Sequence, residues 1–590
     1  MVTNKLICPR NTQNIAQLVV TTRPTRSYSV ITDQLRAMGS IDSIDLYPGK
    51  SLKGRVPSSI KIALIRPLGS LAGEEEKEAV KEMGEPYQLE LLASVLRSQG
   101  YPVRIFDQLA SPYDPANPLN YPKTKSNTDF VAEISAFNPD VAGFSTFTYN
   151  FRKGLTLAGE LKQKLGLPII FGGYHPTSVG KQYLLFDRFS PQNPEAADVF
   201  KQDLRNIFQH GIVDYACIGE GIRVLPELLL VLRELEDPRA VSGISFMANG
   251  QLQISAADRV PLDNYPLPFR ADDFDLMRHY ATGRGYPFLL LMTSNGCRFS
   301  CEYCSTGSMN YPGLGYRSIP RVIDELRQIK EKFHGVWPNQ KIMINIIDED
   351  FASNPSRVIA LCNAIEAAGL NKFFEFNSFL DNQRILGPFG HEILDAMHRA
   401  GFVFCFIGIE SMLDSALDGY NRPDRFENRL QSVQAAIDRM AEHQLLYFGD
   451  HITGYPLHTP ADLREDYQRL LQLRRMHYTY FPILAPMPGT PLYWRVLFGM
   501  LGDGFLPGVT YDHLDANHQV LALQGRGDVK PIRDFFVQRF FSRPEYELDA
   551  DQAISRNPFL AQFFARMLPK VSADYPNNEV IQKLSKKFQS

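Results

Sequence analysis

Three cysteines within eight residues are the part of this sequence with the clearest chemical meaning. Cys297, Cys301 and Cys304 have the spacing Cys-x3-Cys-x2-Cys. Three thiolates on one short loop can hold three irons of a cubane iron–sulfur cluster, which leaves the fourth iron without a protein ligand. An open coordination position is what a substrate-binding metal centre requires. A zinc site or buried structural cysteines are the alternatives, although residues 281–333 contain no histidine to complete a zinc site.

The other cysteines do not form a comparable group. The chain has 590 residues and seven cysteines, and the remaining four are Cys8, Cys217, Cys362 and Cys405. An odd number of widely spaced cysteines does not indicate a disulfide framework. We therefore interpret these four as free thiols, which are commonly buried as small hydrophobic side chains.

Charge and hydropathy exclude several classes of protein. Lys and Arg number 62 against 65 Asp and Glu, so the net charge of −3 argues against a general nucleic-acid binder. No apolar run approaches the ~20 residues that a transmembrane helix needs. The first residues lack the apolar stretch of a secretory signal, so we expect a cytoplasmic protein.

Apolar segments that alternate with helical patterns surround the three cysteines. The predicted strands are 288–293, 342–347, 373–379, 403–409, 446–452 and 480–484, and the predicted helices between them include 321–333, 357–368 and 392–400. Such alternation predicts a partial parallel (β/α)6 barrel, whose catalytic groups lie on the loops that follow the strands. The cysteine loop follows the first of these strands.

This arrangement resembles the radical S-adenosylmethionine superfamily. The motif lies after the first barrel strand, and the aromatic Tyr303 precedes its third cysteine. The resemblance implies a [4Fe–4S] cluster bound by Cys297, Cys301 and Cys304, with S-adenosylmethionine on the open iron. It also implies that Tyr303 lies near the adenine, and it assigns no catalytic residue for the substrate.

Residues at the ends of the later strands are similar to the same superfamily. Asp348 or Asp350, after the second strand, would bind the methionine amine, because a carboxylate suits an ammonium group. The other implied contacts to S-adenosylmethionine are Glu410, Arg422, Ile452, Gly454 and Pro488. Arg422 would pair with the methionine carboxylate. For each carboxylate taken singly, a surface or capping role is the alternative.

A second alternating region precedes the barrel. Its predicted strands are 60–65, 103–106, 141–147, 169–171 and 215–218, and its predicted helices include 88–98, 154–165 and 225–235. Strands and helices in this order predict a flavodoxin-like or Rossmann-like domain, which binds ligands beyond the carboxyl ends of its strands.

This region resembles the cobalamin-binding domain of one radical S-adenosylmethionine subfamily. The residues implied to contact the cofactor are Ser145, Thr146, Gly172, Gly173, His175, Thr177, Gly219, Glu220 and Gly221. Glycines let the backbone approach a large cofactor closely. The motif Asp-x-His-x-x-Gly, whose histidine ligates cobalt in many such domains, does not occur. We therefore expect His175 to contact the nucleotide tail or to lie in a turn, and no protein histidine below the metal; a fold that has lost its cofactor is the alternative.

These patterns together predict an α/β chain in five parts. The parts are an extension at 1–58, a cobalamin-binding-like domain at 59–240, a hairpin and linker at 241–283, the radical S-adenosylmethionine barrel at 284–500 and a mainly helical C-terminal region at 501–590. The hairpin prediction depends on Asn249-Gly250, which is typical of a two-residue turn. We expect the aromatic residues of the C-terminal region, 501–590, to pack in the hydrophobic core more often than to line a substrate pocket.

The two resemblances imply a cobalamin-dependent enzyme that methylates an unactivated carbon of a small molecule, lipid or peptide. Cyclisation, rearrangement or oxidation with the same cofactors is the main alternative, and a cobalamin or redox sensor is the non-enzymatic one. A methylthiotransferase is less favoured, because residues 60–240 contain only Cys217 where further cluster ligands would be needed. The chemistry requires a reductant such as flavodoxin or ferredoxin, and we expect no nucleic-acid partner.

Overall fold

The computed structural model describes residues 50–67, 85–108, 126–187, 194–234, 237–255, 259–270, 288–309, 314–337, 340–422, 426–525, 527–556, 564–565, 568–569, 571–573 and 575–589. Cys8, most of the predicted extension and residues 271–283 of the predicted linker lie outside these ranges. No helix within them is both long and apolar enough to cross a bilayer.

The first sheet has the strand order predicted for a flavodoxin-like domain. Its parallel strands are Ile62–Arg66 (β1), Val103–Asp107 (β2), Val141–Ser145 (β3), Ile169–Gly172 (β4) and Tyr215–Cys217 (β5). They pair in the order β2-β1-β3-β4-β5. The 2-1-3-4-5 order places ligands beyond the carboxyl ends of the central strands, which confirms the fold class predicted for this part of the chain.

The predicted hairpin continues this sheet. Strands Ile244–Ala248 (β6) and Gln251–Ile254 (β7) pair antiparallel, and β6 also pairs antiparallel with β5. Asn249 and Gly250 both have positive φ, of 50° and 74°, as the expected tight turn requires. The sequence predicted the hairpin and its turn, but it did not predict that the hairpin would extend the first sheet to seven strands.

Helices cover both faces of the first sheet. They are Tyr87–Ser98 (α1), Asn127–Phe137 (α2), Phe151–Leu165 (α3), Tyr174–Asp187 (α4), Pro194–Asn206 (α5) and Gly221–Glu234 (α6). Three of these, α1, α3 and α6, were predicted. The sequence missed α4 because polar side chains such as Thr177, Ser178 and Gln182 are buried on it, so it lacks the apolar periodicity by which a helix is recognised.

The second sheet is the predicted six-stranded parallel barrel wall. Its strands are Phe288–Leu291 (β8), Ile342–Ile346 (β11), Phe374–Leu380 (β12), Phe402–Glu410 (β13), Leu446–His451 (β14) and Tyr478–Tyr480 (β15). They pair in the order β15-β14-β13-β12-β11-β8. The bounds predicted for the sixth strand, 480–484, need correction, because β15 ends at Tyr480. Beyond it Ile483 pairs with Thr453 only as an isolated parallel bridge.

Helices cover the outside of the barrel. They are Thr306–Met309 (α7), Ile319–Phe333 (α8), Pro355–Ala367 (α9), Asn382–Leu386 (α10), Gly390–Ala400 (α11), Asp414–Gly419 (α12), Arg429–Glu442 (α13), Pro460–Leu470 (α14) and Pro491–Leu497 (α15). The three helices predicted here correspond to α8, α9 and α11, with boundaries shifted by one or two residues.

The C-terminal helices pack on the barrel. They are Val529–Phe541 (α16), Pro544–Arg556 (α17) and Glu579–Gln589 (α18). Phe536 stacks on Tyr467 of the barrel with ring centres 4.9 Å apart, and Phe540 and Phe541 belong to the barrel core. The expectation that these aromatic residues are mainly core is confirmed for those three, whereas Phe535 is 54% exposed.

Helix α4 of the first domain packs directly on the barrel. Its Tyr174 hydroxyl donates to the carbonyl of Pro488 at 2.9 Å. Gln182 Oε1 accepts from the Gly489 N–H and from the Trp494 indole N–H, at 2.9 and 2.8 Å. These buried bonds hold the carboxyl edge of the first sheet over the mouth of the barrel.

Candidate active site

One large cavity lies where the two domains meet. Its volume is about 1170 Å³, and residues from both domains line it. The barrel contributes the cysteine loop and the ends of strands β11 to β14, while Tyr149, Lys181 and Ile218 come from the first domain. Much of the wall is apolar, including Phe379, Leu380, Phe406, Ile483, Leu484 and Leu514.

All three predicted cluster ligands lie on this cavity. Cys301 is buried, and Cys297 and Cys304 are half-buried. Within the described residues no three thiol, imidazole or carboxylate groups converge on a point suited to a single metal ion. A cubane binds each thiolate to a different iron, so its ligands need not meet at one point.

Burial disfavours the thiolate form of these cysteines more strongly than neighbours such as Arg422, beside Cys301, favour it. Burial raises the pKa of Cys297 to about 12 and that of Cys301 to about 11. A buried thiol loses its proton when a positive centre replaces it, as iron does on binding. Three thiols on one wall of a roomy cavity therefore fit an iron–sulfur cluster with space beside it for a small ligand.

Asp348 fixes the start of the cysteine loop instead of facing the cavity. It is fully buried, and its carboxylate accepts hydrogen bonds from the Thr293 N–H and the Ser294 hydroxyl, both at 2.6 Å. Ser294–Asn295 (β9) and Gly315–Tyr316 (β10) then form a short antiparallel ladder on either side of the loop. Asp348 was one of two alternatives for the methionine amine, and the structure does not bring it into the cavity.

Asp350, the other alternative, does line the cavity. Its Oδ2 lies 3.2 Å from Nε of Arg298, which also pairs with Asp381. Burial raises the pKa of Asp350, and Arg298 opposes that shift. Of the two carboxylates considered from the sequence, Asp350 is therefore the one positioned to contact a bound ligand.

Glu410 ends β13 in a strained backbone conformation. Its φ is +62°, and the register between β13 and β14 shifts between Gly408 and Glu410. The Glu410 carbonyl accepts from the Ile452 N–H at 2.8 Å, and the next residue, Ser411, donates its hydroxyl to buried Asp466 at 2.7 Å. Strained residues held in this way are concentrated at functional sites, and the Glu410 side chain lines the cavity.

Arg422 connects this glutamate to the cysteine loop. Its Nη1 is 3.5 Å from Glu410 Oε1 and 3.7 Å from Cys301 Sγ. Tyr303 lies on the same wall and packs edge-on against Tyr420, with ring centres 5.1 Å apart. Arg422 and Tyr303 both line the cavity, as predicted for contacts to one ligand.

Three other residues predicted to contact S-adenosylmethionine have different positions. Ile452 lines the cavity, whereas Gly454 and Pro488 are not among its lining residues. The space above Gly454 is occupied by the side chain of Val529. The carbonyl of Pro488 accepts the hydrogen bond from the Tyr174 hydroxyl, so Pro488 belongs to the contact between the two domains.

Asp450 is a cavity residue that sequence reasoning missed. It lines the cavity on β14, and burial together with the neighbouring Glu410 raises its pKa to about 8. Its position in the segment Gly449-Asp450-His451-Ile452 was visible in the sequence. The predicted strand 446–452 places Asp450 and Ile452 two residues apart on one face, and that periodicity was the available signal, although β14 itself ends at His451.

The residues predicted for cobalamin lie along the carboxyl edge of the first sheet. The partly exposed ones are Ser145, Gly172, Gly173, Gly219, Glu220 and Gly221. None of them directly lines the cavity, which reaches the neighbouring Ile218. A Cβ built on Gly221 would meet no atom within 4 Å. A Cβ on Gly173 would instead lie 2.8 Å from the Thr146 backbone. The edge is partly exposed and rich in glycine, which fits a large cofactor that the backbone approaches closely.

The remaining three predicted cobalamin contacts are buried in protein. Thr177 Oγ1 accepts from the Gly219 N–H at 3.1 Å, and the Thr146 carbonyl accepts from the His175 N–H, also at 3.1 Å. His175 lies in the first turn of α4, and its ring is 4.2 Å from Phe151 between ring centres. Burial lowers the His175 pKa to about 3.

Two family models match this chain. The radical SAM superfamily model matches residues 291–470, and the B12 binding domain model matches residues 78–188. The first match covers the cysteine loop and most of the barrel, and the second covers strands β2, β3 and β4 of the N-terminal sheet.

Curated proteins and solved structures are similar to this chain. An uncharacterized methyltransferase of Pyrococcus horikoshii is 24% identical over 432 residues, 71% of this chain and 79% of that protein. The hopanoid C-3 methylase of Methylococcus capsulatus is 24% identical over 355 residues, 60% of this chain and 58% of that protein. The solved structure of the cobalamin-dependent radical enzyme OxsB, with aqua-cobalamin and S-adenosylmethionine bound, matches with a TM-score of 0.59 at 15% identity, over 96% of this chain and 80% of OxsB.

Proposed function

We propose that this chain, which the radical SAM superfamily model matches over residues 291–470 and the B12 binding domain model over residues 78–188, is a cobalamin-dependent radical S-adenosylmethionine enzyme that methylates an unactivated carbon of a small molecule or lipid. The observation that carries the proposal is the single cavity lined by both domains. A methyl group from one domain and a radical from the other can react on one substrate only where both sites open to the same space.

The two cofactors would be held by different domains, the cluster on the barrel wall of this cavity and cobalamin at the adjoining edge of the first sheet, which the cavity reaches at Ile218. Cys297, Cys301 and Cys304 would bind the [4Fe–4S] cluster, and the carboxyl edge of the first sheet would bind cobalamin. When bound, the cluster with S-adenosylmethionine supplies a 5′-deoxyadenosyl radical and cobalamin supplies a transferable methyl group.

The residues of this chain position the ligands and exclude water. Asp348 holds the start of the cysteine loop through Thr293 and Ser294. We propose that Asp350 accepts the ammonium of S-adenosylmethionine and that Arg422 binds its carboxylate beside Cys301. We propose that apolar wall residues such as Phe406 and Ile483 limit the access of water to the reacting groups, which suppresses side reactions of a reactive intermediate.

The reaction also needs an electron donor. We propose a small reducing protein such as flavodoxin or ferredoxin, and a cytoplasmic location, because a thiolate-bound cluster survives in a reducing compartment. Reduction by either protein in place of dithionite, measured as formation of 5′-deoxyadenosine, would test this.

The decisive experiment follows the methyl group. Protein prepared without oxygen and loaded with iron, sulfide and cobalamin would be incubated with S-adenosylmethionine carrying a ¹³C methyl group and metabolite extract from cells lacking this protein. We expect a labelled product, with S-adenosylhomocysteine and 5′-deoxyadenosine formed in about equal amounts, because each methylation consumes one S-adenosylmethionine for each role. A Cys301→Ala variant is the inactive control.

The alternative reaction gives a different result. Cyclisation, rearrangement or oxidation would form product and 5′-deoxyadenosine without S-adenosylhomocysteine and without label in the product. That outcome would replace methyl transfer by the alternative chemistry on the same two cofactors. Protein that binds the cluster but no cobalamin would contradict both.

A further inference from the structure

The cavity between the domains is strongly acidic. Six carboxylate residues line it, namely Glu349, Asp350, Asp381, Glu410, Asp450 and Asp515, against two basic residues, Lys181 and Arg422. An excess of carboxylates in a partly desolvated space disfavours anionic ligands and favours cationic ones.

Most of these carboxylates already have partners within the protein. Arg298 pairs with both Asp350 and Asp381, and Arg422 lies 3.5 Å from Glu410. Glu349 accepts a hydrogen bond from the Gly296 N–H at 3.1 Å, and Asp515 accepts from His518 at 3.0 Å. These contacts account for five of the six groups.

Asp450 is the exception. Its Oδ1 is buried and has no hydrogen-bond partner among the residues that the structure describes. The charge of Arg422 lowers the pKa of Asp450, and the charge of the nearby Glu410 raises it. A buried carboxylate oxygen without a partner costs free energy unless a ligand satisfies it.

The strand register aims Asp450 into the cavity. Asp450 pairs with Gly408 on one side and Tyr480 on the other. Because Gly408 has no side chain, the Glu410 carboxylate and the Arg422 guanidinium occupy the space above it: a Cβ at Gly408 would lie 2.2 Å from Glu410 Oε1 and 3.1 Å from Arg422 Nη2. The surrounding wall toward the first domain is apolar, with Phe406, Ile483 and Leu484.

We propose that Asp450 determines substrate specificity by binding an ammonium or other cationic nitrogen of the substrate, while the body of the substrate near the reacting carbon is apolar. This inference rests on the proposed function, since it assumes that the substrate occupies this cavity. It deepens that function by assigning a substrate class: amines with a hydrocarbon body.

A binding experiment with simple probes tests the charge preference. Holoenzyme loaded with the cluster, cobalamin and S-adenosylmethionine would be titrated calorimetrically with octylammonium, octanol and octanoate at about pH 8.5, where an alkylamine stays protonated. We expect octylammonium to bind about tenfold more tightly than the other two, and Asp450→Asn to remove that preference, a change of about 1.4 kcal/mol. Asp515→Asn, which alters another lining carboxylate, should keep the preference.

Two outcomes would overturn the proposal. One is octylammonium binding that is equal in the wild type and in Asp450→Asn, or weaker than octanoate binding. The other is a loss of S-adenosylmethionine affinity in Asp450→Asn with alkylammonium binding unchanged, which would assign Asp450 to the cofactor instead.

The labelled product gives an independent test. If methyl transfer occurs, the product should be retained on a cation exchanger at neutral pH, and a neutral or anionic product would contradict the amine assignment while leaving methyl transfer intact. If no methyl is transferred but the Asp450-dependent preference for octylammonium is observed, the proposed reaction fails and the substrate class stands.

Discussion

Arg422 places Nη1 of its guanidinium group 3.7 Å from Sγ of Cys301, although 121 residues separate the two in the chain. The same nitrogen lies 3.5 Å from Glu410. A buried positive charge therefore connects one candidate cluster ligand to the strained end of β13, and the geometry of the cysteine loop is coupled to that of the strand.

Replacing Arg422 should disrupt this connection. Arg422→Gln leaves Glu410 buried without its counter-charge, which typically costs about 3–5 kcal/mol. We expect at least about a tenfold fall in S-adenosylmethionine affinity, since 1.4 kcal/mol already corresponds to that factor. The measurement is titration of the reduced, cluster-loaded protein. Arg327→Gln, which breaks an exposed pair with Asp324, is the control and should bind normally.

The three clustered cysteines should be distinguishable from the other described ones. Cys297→Ala, Cys301→Ala and Cys304→Ala should each lose most of the bound iron and sulfide, because a cubane needs all three anchors. Cys217, Cys362 and Cys405 are buried outside the cavity, so their alanine variants should keep full iron content. Iron and sulfide analysis with the visible absorption spectrum provides the measurement. Zinc at full occupancy with no iron after reconstitution would contradict the assignment.

Gly408 should tolerate no side chain. The Cβ of Gly408→Ala would lie 2.2 Å from Glu410 Oε1 and 3.1 Å from Arg422 Nη2, so the carboxylate has to move away from the arginine. We expect a normal fold but at least about a tenfold loss of 5′-deoxyadenosine formation under dithionite, in line with the cost of misplacing a catalytic contact. Gly335→Ala is the matched control, because a Cβ there meets no atom within 4 Å. Equal loss in both variants would contradict the argument.

The stability of the first domain should depend on pH through His175. Burial lowers its pKa to about 3, against about 6.5 in an unfolded chain. The unfolded state therefore binds the proton more readily, and stability falls as the pH drops below about 6.5. At pH 5.5 the loss is about 1.4 kcal/mol.

A variant isolates that contribution from the other histidines. His175→Leu keeps the site apolar and removes the titrating group, so its free energy of unfolding should fall by about 1.4 kcal/mol less than that of the wild type between pH 7.5 and pH 5.5. Urea titrations at the two pH values measure the difference. An identical fall in both proteins would show that His175 becomes protonated in the folded state.

The sequence by itself determined the chemistry that depends on local spacing. Cys297, Cys301 and Cys304 lie within eight residues, and the loop that carries them is too short to separate them widely whatever the rest of the chain does. Most strands and several helices were also predictable from local sequence, because the period of the apolar residues indicates which side of each segment is buried. The partial (β/α)6 barrel and a flavodoxin-like or Rossmann-like first domain were therefore predictable, whereas the strand order that distinguishes the two came from the structure.

Side-chain direction required the tertiary structure. Asp348 and Asp350 are two residues apart in an irregular segment after β11, and the sequence could not choose between them. In the fold, Asp348 turns back to the backbone of the cysteine loop, whereas Asp350 meets Arg298 at the cavity. The side chains of a loop do not alternate between two faces as those of a strand do. Their directions therefore depend on the residues that pack around the loop in the folded chain.

Only the tertiary structure brought distant residues together. Asp450 lies beside Glu410 because β13 and β14 pair with a register shift between Gly408 and Glu410, and strand register is set by packing across the sheet. Pro488 contacts Tyr174 because two domains dock, which no local pattern of residues encodes. The acidic cavity and its unpartnered carboxylate follow from these long-range contacts, so they were visible only in the folded chain.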